Sequence, residues 1–294
     1  MVGNFLNGEW MFNFFIPLAI FATLGFIFKL DEKSKSLLYL FCLFQILPFF
    51  ALLYLFISNE NSYKYVWTYG GEYLPLKYRI SAVWAAREGP LLMWAVFLST
   101  LSLYYKETNW TMNKNNSRLS FTIVQGFILT ILCIAQILNP FELVVENIPS
   151  NFSGLIQEKS PGLHPLLQTN LMIIHPPMVF LFYTYCILIA AVSISKLIGE
   201  EENIKSISNE LHKIARPALL IGAVGIGLGG LWAYIVLDWG GYWAWDPVET
   251  GSILPWLAIL ILLHLRLQPK KDSKHWWILA GISPAFFSLV AAIV

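Results

Sequence analysis

Charge is scarce in this chain. Only 13% of its 294 residues are Asp, Glu, Lys or Arg, about half the share a soluble domain carries, and the mean hydropathy is +0.61. Too little polar side chain is present to cover a free globular surface in water. The formal net charge is +1, so no basic face exists to meet a phosphate backbone, and nucleic acid is excluded as a partner. Cysteine is sparse too. Cys42, Cys133 and Cys186 each fall inside an apolar run, with no C-x-x-C pair. That removes a redox dithiol and a zinc site and leaves all three as expected buried structural side chains. The first apolar run lacks a basic n-region and a small-residue cleavage site, so it does not read as a signal peptide. No acid–base pair or nucleophile is apparent.

What the chain has instead is hydrophobic length. Hydrophobic residues make up 57% of it. Eight apolar segments lie near the ~20 residues that cross a bilayer: about Met11–Phe28, Leu37–Ile57, Pro90–Tyr105, Leu119–Leu138, Leu171–Ile198, Pro217–Leu237, Gly251–Leu267 and Trp276–Val294. The expectation is an all-α, polytopic integral membrane protein of about eight transmembrane helices in the lipid bilayer, one domain over 1–294, with both termini on one side. The connections after odd-numbered spans hold fourteen of the nineteen basic residues, among them Lys33, Lys114, Lys196, Lys205 and Lys270, and the others hold five. By the positive-inside rule the N-terminus is extracytoplasmic. The connector Ile198–Arg216 is charged and reads as solvated. Gly222, Gly225, Gly227, Gly229 and Gly230 in the sixth segment read as a close-packing face.

One stretch stands apart. Asp238 to Thr250 reads D-W-G-G-Y-W-A-W-D-P-V-E-T, between two apolar segments and on the outer side by the same count. Three tryptophans, a tyrosine and three carboxylates share thirteen residues, without lysine or arginine. An interfacial aromatic belt would explain tryptophans at helix ends. The crowding of Trp239, Trp243 and Trp245 around Gly240 and Gly241 points further, since the glycines admit close approach and the indoles offer flat apolar surface. A porphyrin is the ligand such a surface suits.

W-G-G-x-W-x-W-D-P-V-E resembles the tryptophan-rich "WWD" signature of the haem-handling membrane proteins of cytochrome c biogenesis. Two further stretches narrow the resemblance to the CcmF type, the haem-lyase component of system I maturation. W-A-A-R-E-G-P-L-L-M-W, before the third span, resembles the family's W-x-x-H-E-G-S-L-L-L-W, with Arg87 in place of histidine, Pro90 in place of serine, and Glu88 and Gly89 matching. L-L-Q-T-N-L-M-I-I-H-P-P-M resembles the stretch that carries the family's first periplasmic haem-ligand histidine, which maps onto His175. Pro176 and Pro177 are expected to break or reshape the start of that helix. His164 stands where the family pattern has asparagine.

The resemblance implies that substrate haem lies on the tryptophan loop with His175 as an axial ligand, held also by Trp239, Trp243, Trp245 and Asp246, with Arg87 or Glu88 near a propionate. The other reading of Arg87 is an ordinary interfacial arginine. His264, thirteen residues beyond Gly251, lies about 20 Å deeper along a helix rising ~1.5 Å per residue. It cannot share an iron with His175. The resemblance makes it the ligand of a transmembrane haem b; a cation-favoured helix end is the other reading. His212 and His275 fall in charged stretches and receive no role.

Implied partners are apocytochrome c with its Cys-x-x-Cys-His motif, a CcmE-like haem chaperone and other maturation subunits. Family members continue through further spans bearing a second periplasmic and a second transmembrane histidine. A second polypeptide is therefore expected to complete both ligand sets, in a bacterial, archaeal or mitochondrial inner membrane. Three rivals stay open: a haem transport or delivery protein of the same superfamily, an electron-transfer cytochrome b subunit, and a structural assembly subunit that binds no haem itself.

Overall fold

The computed structural model describes residues 9–30, 34–108, 114–144, 161–199, 203–236, 241–265 and 274–293. After a 3-10 turn over Glu9–Phe14, ten α-helices follow: α1 Phe15–Ile27, α2 Lys35–Ser58, α3 Lys64–Tyr69, α4 Leu76–Ala82, α5 Glu88–Glu107, α6 Lys114–Leu138, α7 Asn170–Ile198, α8 Ile204–Val236, α9 Pro247–His264 and α10 Lys274–Ile293. No strand is named among the described residues, where the single β-bridge joins Tyr63 to Leu143. Each apolar segment of the sequence coincides with a helix, and six of the helices (α2 and α6 to α10) are long and apolar enough to cross a membrane. The protein is an all-α polytopic membrane protein.

Two compact units divide the chain, one comprising Met1–Ser99 with Phe127–Ile173 and the other Thr100–Gly126 with Ile174–Val294. In the first unit a buried polar chain ties three helices. The Gln45 amide donates to Thr23 Oγ1 at 2.8 Å, and Ser99 Oγ donates to Gln45 Oε1 at 2.7 Å. Each group is satisfied, which is what makes such a chain tolerable away from water. The connections carry their own scaffold. Lys64 N–H donates to the Glu142 carbonyl and Val144 N–H to that of Ser62, while Lys64 Nζ pairs with Glu142 Oε2 at 2.9 Å. Gly89 admits no side chain, because a Cβ there would run into the Val83 carbonyl.

In the second unit the small residues of α8 receive large side chains. A Cβ on Gly222 would meet the Phe182 ring at 2.8 Å and Trp256 at 2.9 Å. This is the close approach that small residues allow in lipid, where apolar burial alone gives little driving force between helices.

Four expectations need correction. Pro176 and Pro177 do not break α7, which begins at Asn170 and runs through both. A proline at 176 leaves the carbonyl of residue 172 without its helical donor; the Met172 carbonyl takes the Trp84 indole N–H instead, at 2.6 Å. The charged connector is mostly helix: α8 starts at Ile204 and buries Ile207, Leu211, Ile214 and Ala218 along one stripe, the spacing of an amphipathic helix. Lys196, counted as a connector charge, is fully buried in α7 and pairs with Glu210 at 2.8 Å. Burial without that partner would cost several kcal/mol. Cys133 is exposed on α6, whereas Cys42 and Cys186 are buried as expected.

Candidate functional site

The last residues of the aromatic loop explain themselves through the helix that follows. Asp246 is the N-cap of α9, its Oδ1 accepting from Glu249 N–H at 2.6 Å, with Pro247 in the first turn. Glu249 turns back, and its Oε2 accepts from the backbone N–H of both Ala244 and Trp245 at 2.8 Å. This is a capping box extended two residues upstream, and the acids also complement the helix dipole. It fastens Trp245 in the left-handed region, at φ 57°, a conformation costing roughly 1–2 kcal/mol for a residue with a Cβ. Trp245 is thereby turned outward, 68% exposed, with its ring edge-on to Trp243 at 5.7 Å. The W-D-P-V-E run is thus a folding instruction as well as a surface.

Beside this loop the second unit has a cavity of about 230 Å³, lined among others by His175, Trp232, Trp243, Asp246 and Glu249. The beginnings of α7 and α9, the end of α8 and the loop therefore meet at one place. His175 is held there from two sides. Its Nδ1 lies 2.9 Å from the Gly225 carbonyl oxygen. A carbonyl can only accept, so Nδ1 carries the proton and Nε2 keeps its lone pair, the tautomer that metal-binding histidines take when a second partner orients them. Gly229 makes room for the ring, since a Cβ there would stand 2.6 Å from His175 Cε1. Trp232 stands beside it, the ring centroids 5.8 Å apart.

The polar atoms around this cavity fit haem. Nε1 of Trp232, Nε1 of Trp243 and Oε1 of Glu249 are buried without a hydrogen-bond partner. Unpaired buried N–H groups are costly, and two indole donors on an otherwise apolar wall match a flat apolar ligand with carboxylate substituents. One imidazole nitrogen suits one axial position of an iron porphyrin. Among the described residues no group of three or more His, Cys, Asp or Glu could hold a bare metal ion.

The sequence reading and the structure meet at His175, Trp243 and Asp246, which line one cavity, with Trp245 adjoining. Trp239 lies outside the described residues. His264 ends α9, at the other end of the helix from Asp246, and is exposed, its Nδ1 2.7 Å from the carbonyl of Leu260 one turn back. Arg87 and Glu88 belong to the first unit, where Arg87 is exposed and Glu88 lines a different, polar cavity. His164 is exposed and caps a 3-10 turn, its Nδ1 accepting from Leu166 N–H at 3.3 Å. His212 is buried near Leu262 and edge-on to Trp277, and His275 is exposed. The residues missed are Trp232, Gly229 and Glu249. Only Glu249 carried a usable signal, the D-x-x-E spacing of a capped helix start; Trp232 and Gly229 are defined by what an adjacent helix brings to them.

Comparison with known proteins identifies the family. A family model described as Cytochrome C assembly protein matches residues 84–293. The chain is 31% identical to the cytochrome c-type biogenesis protein CcmF of Pseudomonas fluorescens over 261 residues, covering 85% of this chain and 37% of that protein. It is 28% identical over 300 residues to the cytochrome c-type biogenesis protein NrfE of Haemophilus influenzae, covering 96% and 45%. A solved structure named Cytochrome c Heme Lyase CcmF shares the fold, with a TM-score of 0.74 at 20% identity over 97% of this chain and 46% of that one. The chain spans less than half the length of these relatives. With the matched family model covering most of its length, the chain belongs to the cytochrome c assembly protein family, as a CcmF-type cytochrome c maturation protein.

Proposed function

We propose that this chain is the haem-holding part of a cytochrome c haem lyase, in which His175 Nε2 binds the iron of substrate haem inside the tryptophan-walled cavity. The observation that carries the reading is the pairing of His175 Nδ1 with the Gly225 carbonyl, which leaves Nε2 unprotonated beside the cavity. Its support is the family, whose relatives are named for cytochrome c-type biogenesis, and whose structural neighbour is named a haem lyase.

The roles of the chain's own residues follow from their positions. Gly225 and Gly229 set the tautomer and seat of His175. Trp243 and Trp245 present apolar ring surface, and the unpaired indole N–H groups of Trp232 and Trp243 are offered to carboxylates. Asp246 and Glu249 hold the loop in shape. The porphyrin vinyl groups supply the chemistry: each cysteine S–H of the apocytochrome Cys-x-x-Cys-His motif adds across a vinyl C=C to give a thioether. Positioning is the protein's whole task, consistent with the lack of an acid–base pair. The fourteen-to-five distribution of basic residues supports an extracytoplasmic loop. His264, with Nδ1 committed to Leu260, offers Nε2 to a transmembrane haem b. One histidine per haem calls for a second polypeptide, with a CcmE-like chaperone supplying the haem. Arg87 and Glu88 are not used here.

In cells carrying the whole maturation system, His175→Ala should abolish cytochrome c maturation, and added imidazole should restore part of it by replacing the axial nitrogen. Normal maturation by the alanine variant without imidazole contradicts the proposal.

A further inference from the structure

Helices α7 and α8 run antiparallel, and steps forward along one are matched by steps back along the other. A Cβ on Gly229 would stand 2.6 Å from the His175 ring, one on Gly225 3.4 Å from Val179 Cγ2, and one on Gly222 2.8 Å from the Phe182 ring. His175 to Phe182 is seven residues, and so is Gly229 to Gly222. Fourteen residues further on α7 and twelve further back on α8, Lys196 Nζ meets Glu210 Oε2 at 2.8 Å. Ser206 Oγ, four residues before Glu210, donates to its Oε1 at 3.1 Å. The hairpin therefore has a marked pair at each end. One is the seat of His175; the other, twenty-one residues along α7, is a buried ion pair about 30 Å away at ~1.5 Å per residue.

The glycine face between these ends does not choose one alignment by itself. If α8 slid by four residues, ~6 Å, Gly225 would face His175 and Ala218 would face Phe182, with Ile221 against Val179 as the bulkier contact. Small residues would still receive the two large rings. The ion pair does not tolerate that slide. It would carry Glu210 a full turn from Lys196 and leave two buried charges uncompensated. Fixing register is the best-attested service of a buried polar pair, which apolar side chains often match in stability. The alignment matters at the other end. The Trp232 ring, now centred 5.8 Å from that of His175, belongs to α8 and would be carried a turn away, so the imidazole would lose the wall it adjoins.

We propose that Lys196 and Glu210 are positioning residues: their ion pair fixes the register of α7 against α8 and thereby the height of His175 relative to Trp232. The positioning role rests on the proposed ligation of haem iron by His175; the register lock does not.

The test uses the purified full chain with its membrane partners, spin-labelled through Ile198→Cys and Ile235→Cys, with the exposed Cys133 replaced by serine. Both label sites are exposed and lie near opposite ends of the hairpin, so a slide changes their separation almost one for one. Double electron–electron resonance should give one distance for this protein. Adding Lys196→Met with Glu210→Met should produce a second population displaced by about 6 Å, one four-residue slide. Haem retained beside His175, read as pyridine haemochrome per mole of protein, should fall in proportion to that population. A single unshifted distance overturns the register lock. Failure of the doubly substituted protein to insert and fold overturns it too, because a pair that serves register alone is replaceable by apolar side chains. A displaced population with undiminished haem overturns the positioning role and leaves the lock. Normal cytochrome maturation by His175→Ala would remove the ligation reading, while the distances, which need no haem, still decide the lock.

Discussion

His175 and His264 make the same hydrogen bond in different company. Each places Nδ1 against a backbone carbonyl, at 2.9 Å from Gly225 and at 2.7 Å from Leu260, so each keeps Nε2 free. For His175 the carbonyl belongs to another helix, the ring is seated against Gly229, and a cavity lies alongside. For His264 the carbonyl belongs to its own helix and the ring is exposed at the helix end. The tautomer alone therefore does not make a haem site. His175 has an enclosure built by this chain, whereas His264 has only a nitrogen at a helix end.

The largest effect that would break this contrast is at Gly229. Gly229→Ala puts a methyl group 2.6 Å from His175 Cε1, and in a packed interior such overlap costs roughly 1–3 kcal/mol or displaces the ring. Haem retained by the outer site should fall about 10-fold, measured as pyridine haemochrome per mole of protein, while haem associated with His264 stays. Unchanged outer haem would mean that the seat of His175 does not matter. His264→Ala should act the other way and less broadly: b-type haem is lost, the protein still inserts, and the outer site keeps its occupancy. His264 is the last residue of α9 and its ring is exposed, so its loss leaves the helix packing intact. An unchanged Soret absorbance per mole would sink the role given to His264.

The contrast was half legible in the sequence. Helix positions followed from apolar length, and the cluster of Trp243, Asp246 and His175 followed from motifs, because backbone chemistry at loops and caps is local. What stayed hidden was non-local. Gly229 and Gly225 read as a packing face, and only the adjacent helix shows that one seats an imidazole and the other fixes its proton. The charged stretch Ile198–Arg216 read as a connector because its stripe of Ile207, Leu211 and Ile214 is interrupted by Glu210, whose partner Lys196 lies fourteen residues earlier. The prolines at 176 and 177 read as a break because the replacement donor, Trp84, is eighty-eight positions away from the Met172 carbonyl.

The central claim is that His175 Nε2 is an iron ligand. It is tested most directly by the optical and electron paramagnetic resonance spectra of His175→Cys, purified with its partners and haem, against wild type. A thiolate in place of imidazole changes the iron's ligand field and shifts the Soret band. The account predicts a thiolate-type spectrum for the outer haem alone, with the His264-associated haem unchanged. A spectrum identical to wild type at equal haem content would contradict it.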